Sequence, residues 1–243
     1  MLILALESSA KAASAALCRD GVLIAQSQQC SGLTHSCTLL PMAEQMLKDT
    51  NIALSDVDAI AVARGPGSFT GIRIGIAAAK GFAWARELPC VGVSTLEAMA
   101  QQAAAFEGVV CCAMDARREQ VYRALFSCSG GVLTRLTEDG AVSLEKLEAE
   151  LKKTEKPKII VGDGAQLCYN TIGTAMPDCR LAAEHQRMQR ASGVALLAHA
   201  RLLAGERCDG AALTPNYLRL SQAERERAAR LQKEETHGES ANS

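Results

Sequence analysis

Arg64-Gly65-Pro66-Gly67-Ser68-Phe69-Thr70-Gly71-Ile72-Arg73 follows a short apolar run, Ala59 to Ala63, and opens a long run with helical spacing. A buried strand, a glycine-rich loop and a helix, in that order, are how α/β proteins place functional loops. Gly65 and Gly67 permit a tight path with positive φ, Pro66 stiffens it, and Ser68 can cap the first free N–H groups of a helix beginning near Phe69. A phosphate loop of the P-loop kind would end Gly-Lys-Ser/Thr, whereas Gly71 is followed by Ile72. In the dinucleotide pattern G-x-G-x-x-G the third glycine here falls one place late. A helix N-terminus still offers N–H groups to an anion, but neither phosphate fingerprint is present.

The helix runs to about Arg86 and holds Gly71, Gly75 and Gly81, each costing about 1 kcal/mol relative to alanine inside a helix. Gly71, Gly75 and Ala79 stand four residues apart, and Ala78 and Ala83 lie nearby, so they form a small-residue stripe along which another backbone can approach. The stripe reads as a helix–helix contact surface, with the partner helix in the same chain or in a second molecule.

Outward from this segment, Leu2 to Leu6, Ala12 to Cys18 and Val22 to Gln28 read as three strands, the last two joined by Asp20-Gly21, a strong hairpin signal. His35 to Thr50 has an amphipathic helical pattern, and Cys90 to Val93 is another short strand. Ser94-Thr95-Leu96-Glu97 is a capping box opening a helix to about Ala105. Strands recur at Val109 to Met114, Gln120 to Ser127 and Gly131 to Leu136, then a charged helix near Leu144 to Lys153 and a strand Lys158 to Val161. Gly162-Asp163-Gly164-Ala165 follows, either a nucleotide-side loop or a plain strand-to-helix turn. The order βββαβ thus occurs twice, which predicts two similar lobes, residues 1–105 and 106–222. A late helix over Ser192 to Gly205 can pack back on the first lobe. From 223 to 243 charge dominates and a disordered tail is expected, and deleting the residues from about Gln232 onward is expected to leave stability and partner binding nearly unchanged.

The 243 residues, 48% hydrophobic and 22% charged, describe an ordinary globular protein, and the formal net charge of −1 supplies no basic field for nucleic acid. If RNA is involved, a partner carries most of the grip. No apolar run approaches the roughly 18 residues of a membrane helix, and Met1-Leu2-Ile3-Leu4-Ala5-Leu6 lacks the basic start and length of a signal peptide, so a cytoplasmic protein is expected. The ten cysteines form no Cys-x-x-Cys and read as free thiols rather than a metal site.

Five ordered motifs resemble the TsaB (YeaZ) family: Leu4-Ala5-Leu6-Glu7-Ser8-Ser9, the loop from Arg64 to Arg73, Gly92-Val93-Ser94-Thr95-Leu96-Glu97-Ala98, Met114-Asp115-Ala116-Arg117-Arg118-Glu119-Gln120-Val121-Tyr122, and Pro215-Asn216-Tyr217-Leu218-Arg219. They span about residues 2 to 219. The resemblance implies the two-lobed actin-like ATPase and sugar-kinase fold with duplicated βββαβα units. It also implies a role in making threonylcarbamoyladenosine beside the anticodon of tRNA. The expected partners are a TsaD-like transferase and a TsaE-like ATPase, with a homodimer when the chain is alone and tRNA reached through the complex. The first lobe would carry the partner interface on Gly71, Ile72, Arg73, Gly75, Ala78, Ala79 and Phe82. The loop Arg64, Gly65, Pro66, Gly67, Ser68, Phe69 and Thr70 would border a composite site.

TsaD-like relatives carry a metal-binding His-x-x-x-His on the helix after the equivalent of Val93, two imidazoles one turn apart. Here Thr95 and Met99 stand in those places. The four histidines, His35, His185, His199 and His237, have no such spacing. Lys11, Ala12 and Ala13 follow the first strand where the catalytic relatives place an acidic residue, which argues against nucleotide binding in this chain's cleft. No cofactor is expected in this chain, ATP and metal being used by the partners, and no catalytic residue is assigned. A metallopeptidase-like hydrolase and a small-molecule kinase are the alternatives from other classes. Asp115, Arg117, Arg118 and Glu119 read as a turn ion-pair network or an acid/base site, and Glu7 as structural or binding. Ser8 and Ser9 have no nearby histidine to activate them. Pro215 to Arg219 reads as a docked strand or loop, with Arg219 as a partner contact.

Overall fold

The computed structural model describes residues 1–219, so the expected tail lies outside the described residues. Strands β1 (Leu2–Glu7), β2 (Ala13–Arg19), β3 (Val22–Gln29), β4 (Ala59–Ala63) and β5 (Cys90–Val93) form the first sheet, in the order β3-β2-β1-β4-β5. β1 pairs antiparallel with β2 and parallel with β4. Asp20 and Gly21 both take positive φ, 51° and 79°, as a two-residue hairpin turn of the primed type requires.

Every residue of β1 and β4 is buried, because helices cover both faces of the sheet. Helices α1 (His35–Asp49) and α2 (Phe69–Arg86) cover one face, α3 (Thr95–Ala100) lies beyond β5, and α7 (Ala191–Leu203) covers the other face. The two-residue period of the strand divides the core accordingly. Leu2, Leu4 and Leu6 pack with α1 and α2, whereas Ile3 and Ala5 pack with α7. The late helix therefore belongs physically to the first sheet. Gly193 of α7 lies so close to the Ala98 carbonyl that a Cβ would overlap it.

The second sheet contains β6 (Gly108–Asp115), β7 (Gln120–Ser129), β8 (Val132–Arg135), β10 (Lys158–Val161) and β11 (Cys179–Leu181), in the order β11-β10-β6-β7-β8, with β9 (Gly140–Ser143) paired to β7. Read from β8, its third, second, first, fourth and fifth strands repeat the first sheet's arrangement. This is the two-lobed actin-like α/β fold with a duplicated unit. Its helices are α4 (Leu144–Leu151), α5 (Ala165–Thr171) and the one-turn α6 (Glu184–Arg187). β9 and β11 have four and three residues, too short for an alternating pattern to announce them; their pairing comes from the neighbouring strand.

The capping box at Ser94 forms only half. Ser94 Oγ accepts from the Glu97 amide at 3.2 Å, but the Glu97 carboxylate does not return to Ser94. It pairs instead with Arg135 at 3.1 Å and Arg201 at 2.8 Å, joining α3 to the second lobe and to α7. Ser94 Oγ donates to Asp139 at 2.6 Å, and Asp139 pairs with Arg135. A half-buried network of this kind ties the two lobes together more firmly than exposed pairs would.

Candidate functional site

The C-terminal ends of the parallel strands β1, β4, β6 and β10 open on one cleft between the lobes, the position where open α/β sheets present ligand-facing loops. The cleft holds about 650 Å³. Ser9 to Lys11 enter it after β1, Gly67 to Thr70 after β4, Asp115 to Arg117 after β6, and Asp163 after β10. Asn216 to Arg219 close its rim.

The glycine-rich loop is fixed by the backbone around it. Gly65 and Gly67 take φ of 116° and 154°, and a Cβ on either would collide with Asn216 or Ser9. The Ser68 amide donates to the Ser9 carbonyl at 2.6 Å, the Thr95 amide to the Gly65 carbonyl at 2.9 Å, and the Asn216 amide to the Arg64 carbonyl at 2.7 Å. Ser68 Oγ caps α2 by accepting from the Gly71 amide at 3.3 Å. Of the seven loop residues, Gly67, Ser68, Phe69 and Thr70 line the cleft, Gly65 and Pro66 are buried, and Arg64 is exposed on its far side.

Glu7 is fully buried at the end of β1. Its Oε1 accepts from the Ser9 amide at 2.6 Å, while Oε2 has no hydrogen-bond partner. Burial pushes the carboxyl up to about 7, opposed by the hydrogen bond from the Ser9 amide and assisted by Asp163 across the seam. Asp163 is also raised, first by burial, although the Gln189 amide donates to it at 3.3 Å. The Ser9 hydroxyl and Gln189 Oε1 are buried without partners. Glu7 is thus both hydrogen-bonded structure and half unsatisfied. Ser8 Oγ donates to the Gly71 carbonyl at 2.9 Å, a structural bond that leaves it no role as a nucleophile.

The turn at Asp115 is less of a network than its composition suggests. Asp115 Oδ1 accepts from the Arg117 amide at 2.7 Å, and the side chains meet at 3.5 Å with Arg117 83% exposed, a pair worth little. Arg118 and Glu119 make no ion pair among the described residues; with Arg117 they hold φ of 55–63°, a left-handed turn that costs on the order of 1 kcal/mol per residue. The C-terminal segment is a docked loop. Tyr217 stacks on Phe69 at 4.5 Å, Arg73 lies 3.8 Å over the Phe69 ring, and its Nε donates to Tyr217 Oη at 2.9 Å. Arg219, which the sequence offers as a partner contact, donates from its guanidinium to the Ala116 carbonyl at 2.6 Å. That contact ties the end of the described chain to the second lobe. The aromatic stack joins residues 69, 73 and 217, a convergence that no sequence spacing signals.

The small-residue stripe points inward. Gly71, Ile72, Gly75 and Ala79 are buried against the chain's own first sheet. A Cβ on Gly71 would overlap the Ser8 carbonyl, and one on Gly75 would overlap Ser8 Oγ and lie 3.3 Å from Val62. The partner of the stripe is therefore β1 and β4 rather than another molecule, so these four residues are not available as an interface. Closeness to the strand explains why the helix keeps its glycines. Ala78 and Phe82 flank the buried stripe, half-buried against the same core. With Ile74, Gly81, Leu39 and Leu40 they line an apolar groove of about 490 Å³ between α1 and α2. Leu40 is 46% exposed. His35 anchors the groove's upper end through Nε2 to the Ala10 carbonyl at 2.7 Å.

Thr95 and Met99 are the first and fifth residues of α3, 0% and 1% exposed. Met99 packs with Leu96, Val161 and Met114 in the core of the second lobe. A hydroxyl and a thioether sealed in an apolar core do not fit a hard divalent cation. Among the described residues no group of three or more His, Cys, Asp or Glu side chains is placed to hold a metal. No helix among them is long and apolar enough to cross a membrane.

The duplicated sheets and the cleft at their strand ends place the chain among two-lobed actin-like α/β proteins. The family model described as TsaD, tRNA N6-adenosine threonylcarbamoyltransferase, matches residues 29–227. The tRNA threonylcarbamoyladenosine biosynthesis protein TsaB of Bacillus subtilis is 34% identical over 92% of this chain and 96% of its own. The Escherichia coli protein of the same name is 40% identical over 73% of this chain and 74% of its own. A solved structure of YeaZ from Pseudomonas aeruginosa superposes with a TM-score of 0.76 at 30% identity, covering 89% of this chain and 99% of that one. Component A of the (R)-2-hydroxyglutaryl-CoA dehydratase of Acidaminococcus fermentans, 13% identical with a TM-score of 0.50 over 84% of this chain and 99% of its own, shares the fold alone. The chain belongs to the TsaB (YeaZ) family.

Proposed function

We propose that the chain is a non-catalytic partner subunit in the biosynthesis of tRNA threonylcarbamoyladenosine. In this reading it pairs with a TsaD-like transferase, forms a homodimer when alone, and helps present a composite surface to a TsaE-like ATPase. It reaches tRNA through the complex, in the cytoplasm. ATP and metal are used by the partners.

The observation that carries this reading is the state of Thr95 and Met99. The family model matches most of the chain, and the two positions to which the resemblance assigns ligating imidazoles hold the buried side chains of Thr95 and Met99. Group transfer needs an electrophile and an acceptor held together at an organised centre. A chain that has exchanged that centre for packing is suited to supporting a partner that retains it. The same exchange argues against a metallopeptidase-like hydrolase. For a kinase, the loop after β1 carries Lys11, Ala12 and Ala13 where the resemblance places an acidic residue, which argues against that reading.

We assign the partner surface to the outer side of α1 and α2: Ala78 and Phe82 as read from the sequence, joined by Leu40 and Ile74. Apolar grooves between helices are where a second helix pair docks, with few anchors supplying most of the affinity. Placing a carboxylate there, in Phe82→Glu or Leu40→Glu, should weaken the homodimer and the heterodimer at least about tenfold. Leu40 is exposed, so the thermal midpoint of Leu40→Glu should stay within a few degrees of the parent, whereas Phe82 packs half-buried against the first core and its variant should lose some stability as well. Sedimentation and co-purification with the TsaD-like protein read both. Full association by both variants would move the interface off this face.

A further inference from the structure

Cys90 opens β5 at the edge of the first sheet, and Cys208 lies directly opposite it on the segment that follows α7. The two residues exchange both backbone bonds, Cys90 amide to Cys208 carbonyl at 2.7 Å and Cys208 amide to Cys90 carbonyl at 3.0 Å. Such a hydrogen-bonded antiparallel pair sets its Cα atoms about 5.5 Å apart with both side chains on one face of the ladder. That Cα separation lies within the disulfide range, while the Cβ atoms of such a pair, about 5.5 Å apart, must close by about 1 Å to reach the roughly 3.5–4.5 Å a disulfide takes, a shift the edge position of the strap allows. Both side chains enter the same apolar cluster beneath α2, both are free thiols, and Cys208 Sγ lies 3.5 Å from the Cys90 carbonyl oxygen. Cys90 is sealed, whereas Cys208 is half-buried on the wall of a hollow of about 810 Å³ beneath the exposed Trp84.

We propose that Cys90 and Cys208 form a reversible disulfide site that staples the C-terminal strap to the first lobe under peroxide. Cys208 takes the oxidant because it is the accessible member. Peroxide transfers one oxygen to its sulfur, giving a sulfenic acid and one water. The Cys90 sulfur then attacks the Cys208 sulfur; the S–S bond forms, the S–O bond breaks, and the departing oxygen leaves as a second water with the Cys90 proton. Two electrons pass from the thiols to peroxide, and thiol reductants reverse the step. Burial raises both thiols above their ordinary range, so the reaction is slow beside that of exposed Cys30 and Cys37. Beyond Cys208 the strap carries Leu213 into the first core, Asn216 to Arg64, and Tyr217 and Arg219 to the cleft rim. The staple thereby fixes the root of the segment that closes the cleft.

The full chain carrying Cys30→Ser and Cys37→Ser, treated with hydrogen peroxide and then alkylated, is the test. Expected are loss of two hydrogens in the intact mass, a Cys90–Cys208 linked peptide in the non-reduced digest, and a thermal midpoint raised by about 10 °C, the effect of closing a loop of this size. Dithiothreitol should reverse all three, and adding Cys208→Ser or Cys208→Ala should abolish them. The proposal is overturned if Cys208 accumulates as sulfinic acid without a link, if the linked cysteines are others such as Cys111 and Cys168, or if the Cys208 variants still lose two hydrogens.

Discussion

Gly75→Leu should unfold the first lobe. The glycine lies on the side of α2 pressed against β1 and β4, where even a Cβ overlaps Ser8 Oγ and meets Val62 at 3.3 Å. Ser8 cannot yield cheaply, because its hydroxyl donates to the Gly71 carbonyl one turn earlier on the same helix. Overpacking at ordinary core sites costs about 1–3 kcal/mol, and a leucine here meets the short side chains of Ser8 and Val62, the first pinned by its own hydrogen bond. A loss of about 3 kcal/mol or more follows, a drop in thermal midpoint of roughly 10 °C for a chain of this size. Ala77→Leu, on the exposed side of the same helix, should leave the midpoint nearly unchanged. Equal midpoints for the two variants would show that the helix does not sit on the sheet as described. Any loss of dimer in Gly75→Leu is then a consequence of unfolding and says nothing about an interface.

Stability should fall as pH rises from about 5 to about 8, and Glu7→Gln should remove much of that slope. The carboxyl titrates near 4.5 when unfolded and near 7 when folded, so between those values the folded chain holds a proton that the unfolded chain has released. Folded protein binds more protons there, and stability declines with pH. The contribution is complete below about 4.5, is lost progressively up to about 7, and is flat above it. The full difference is on the order of 3 kcal/mol. Asp163 is shifted in the same direction, so its slope has the same sign. Glutamine keeps the shape, accepts the Ser9 amide through its oxygen and carries no charge, so the variant should match the parent near pH 4.5 and exceed it at pH 8. Denaturant unfolding across this range reads the difference. A variant less stable than the parent at pH 8 would mean that the ionised carboxylate has a stabilising partner in the seam.

Much of the fold was legible because its signals are local. Strands β4, β5 and β10 and helix α2 begin and end where apolar runs, the Gly-rich loop and Ser68 place them. The duplicated order of elements anticipated the duplicated sheet. What could not be read was direction and distance. A stripe of Gly71, Gly75 and Ala79 states that something comes close, but not whether it is a strand of the same chain or a helix of another. The residues flanking the stripe on α2, Ile74, Ala78 and Phe82, are half-buried beside the apolar groove and were only partly singled out. The half-formed capping box failed for a similar reason: Glu97 has the right spacing to return to Ser94, but Arg135 and Arg201, 38 and 104 residues away, offer it charged partners. The stack of Phe69, Arg73 and Tyr217 depends on a strap that returns from the far end of the chain, and no periodicity encodes it.

The central claim is that this chain supports threonylcarbamoyl transfer without performing it. The direct measurement is reconstitution with threonine, bicarbonate, ATP, tRNA and the synthase that makes the activated intermediate, leaving out one protein at a time and quantifying modified adenosine. The account predicts no product from this chain without the TsaD-like subunit, and a large loss of product when this chain alone is omitted. Modified adenosine formed by this chain in the absence of the TsaD-like subunit would contradict it.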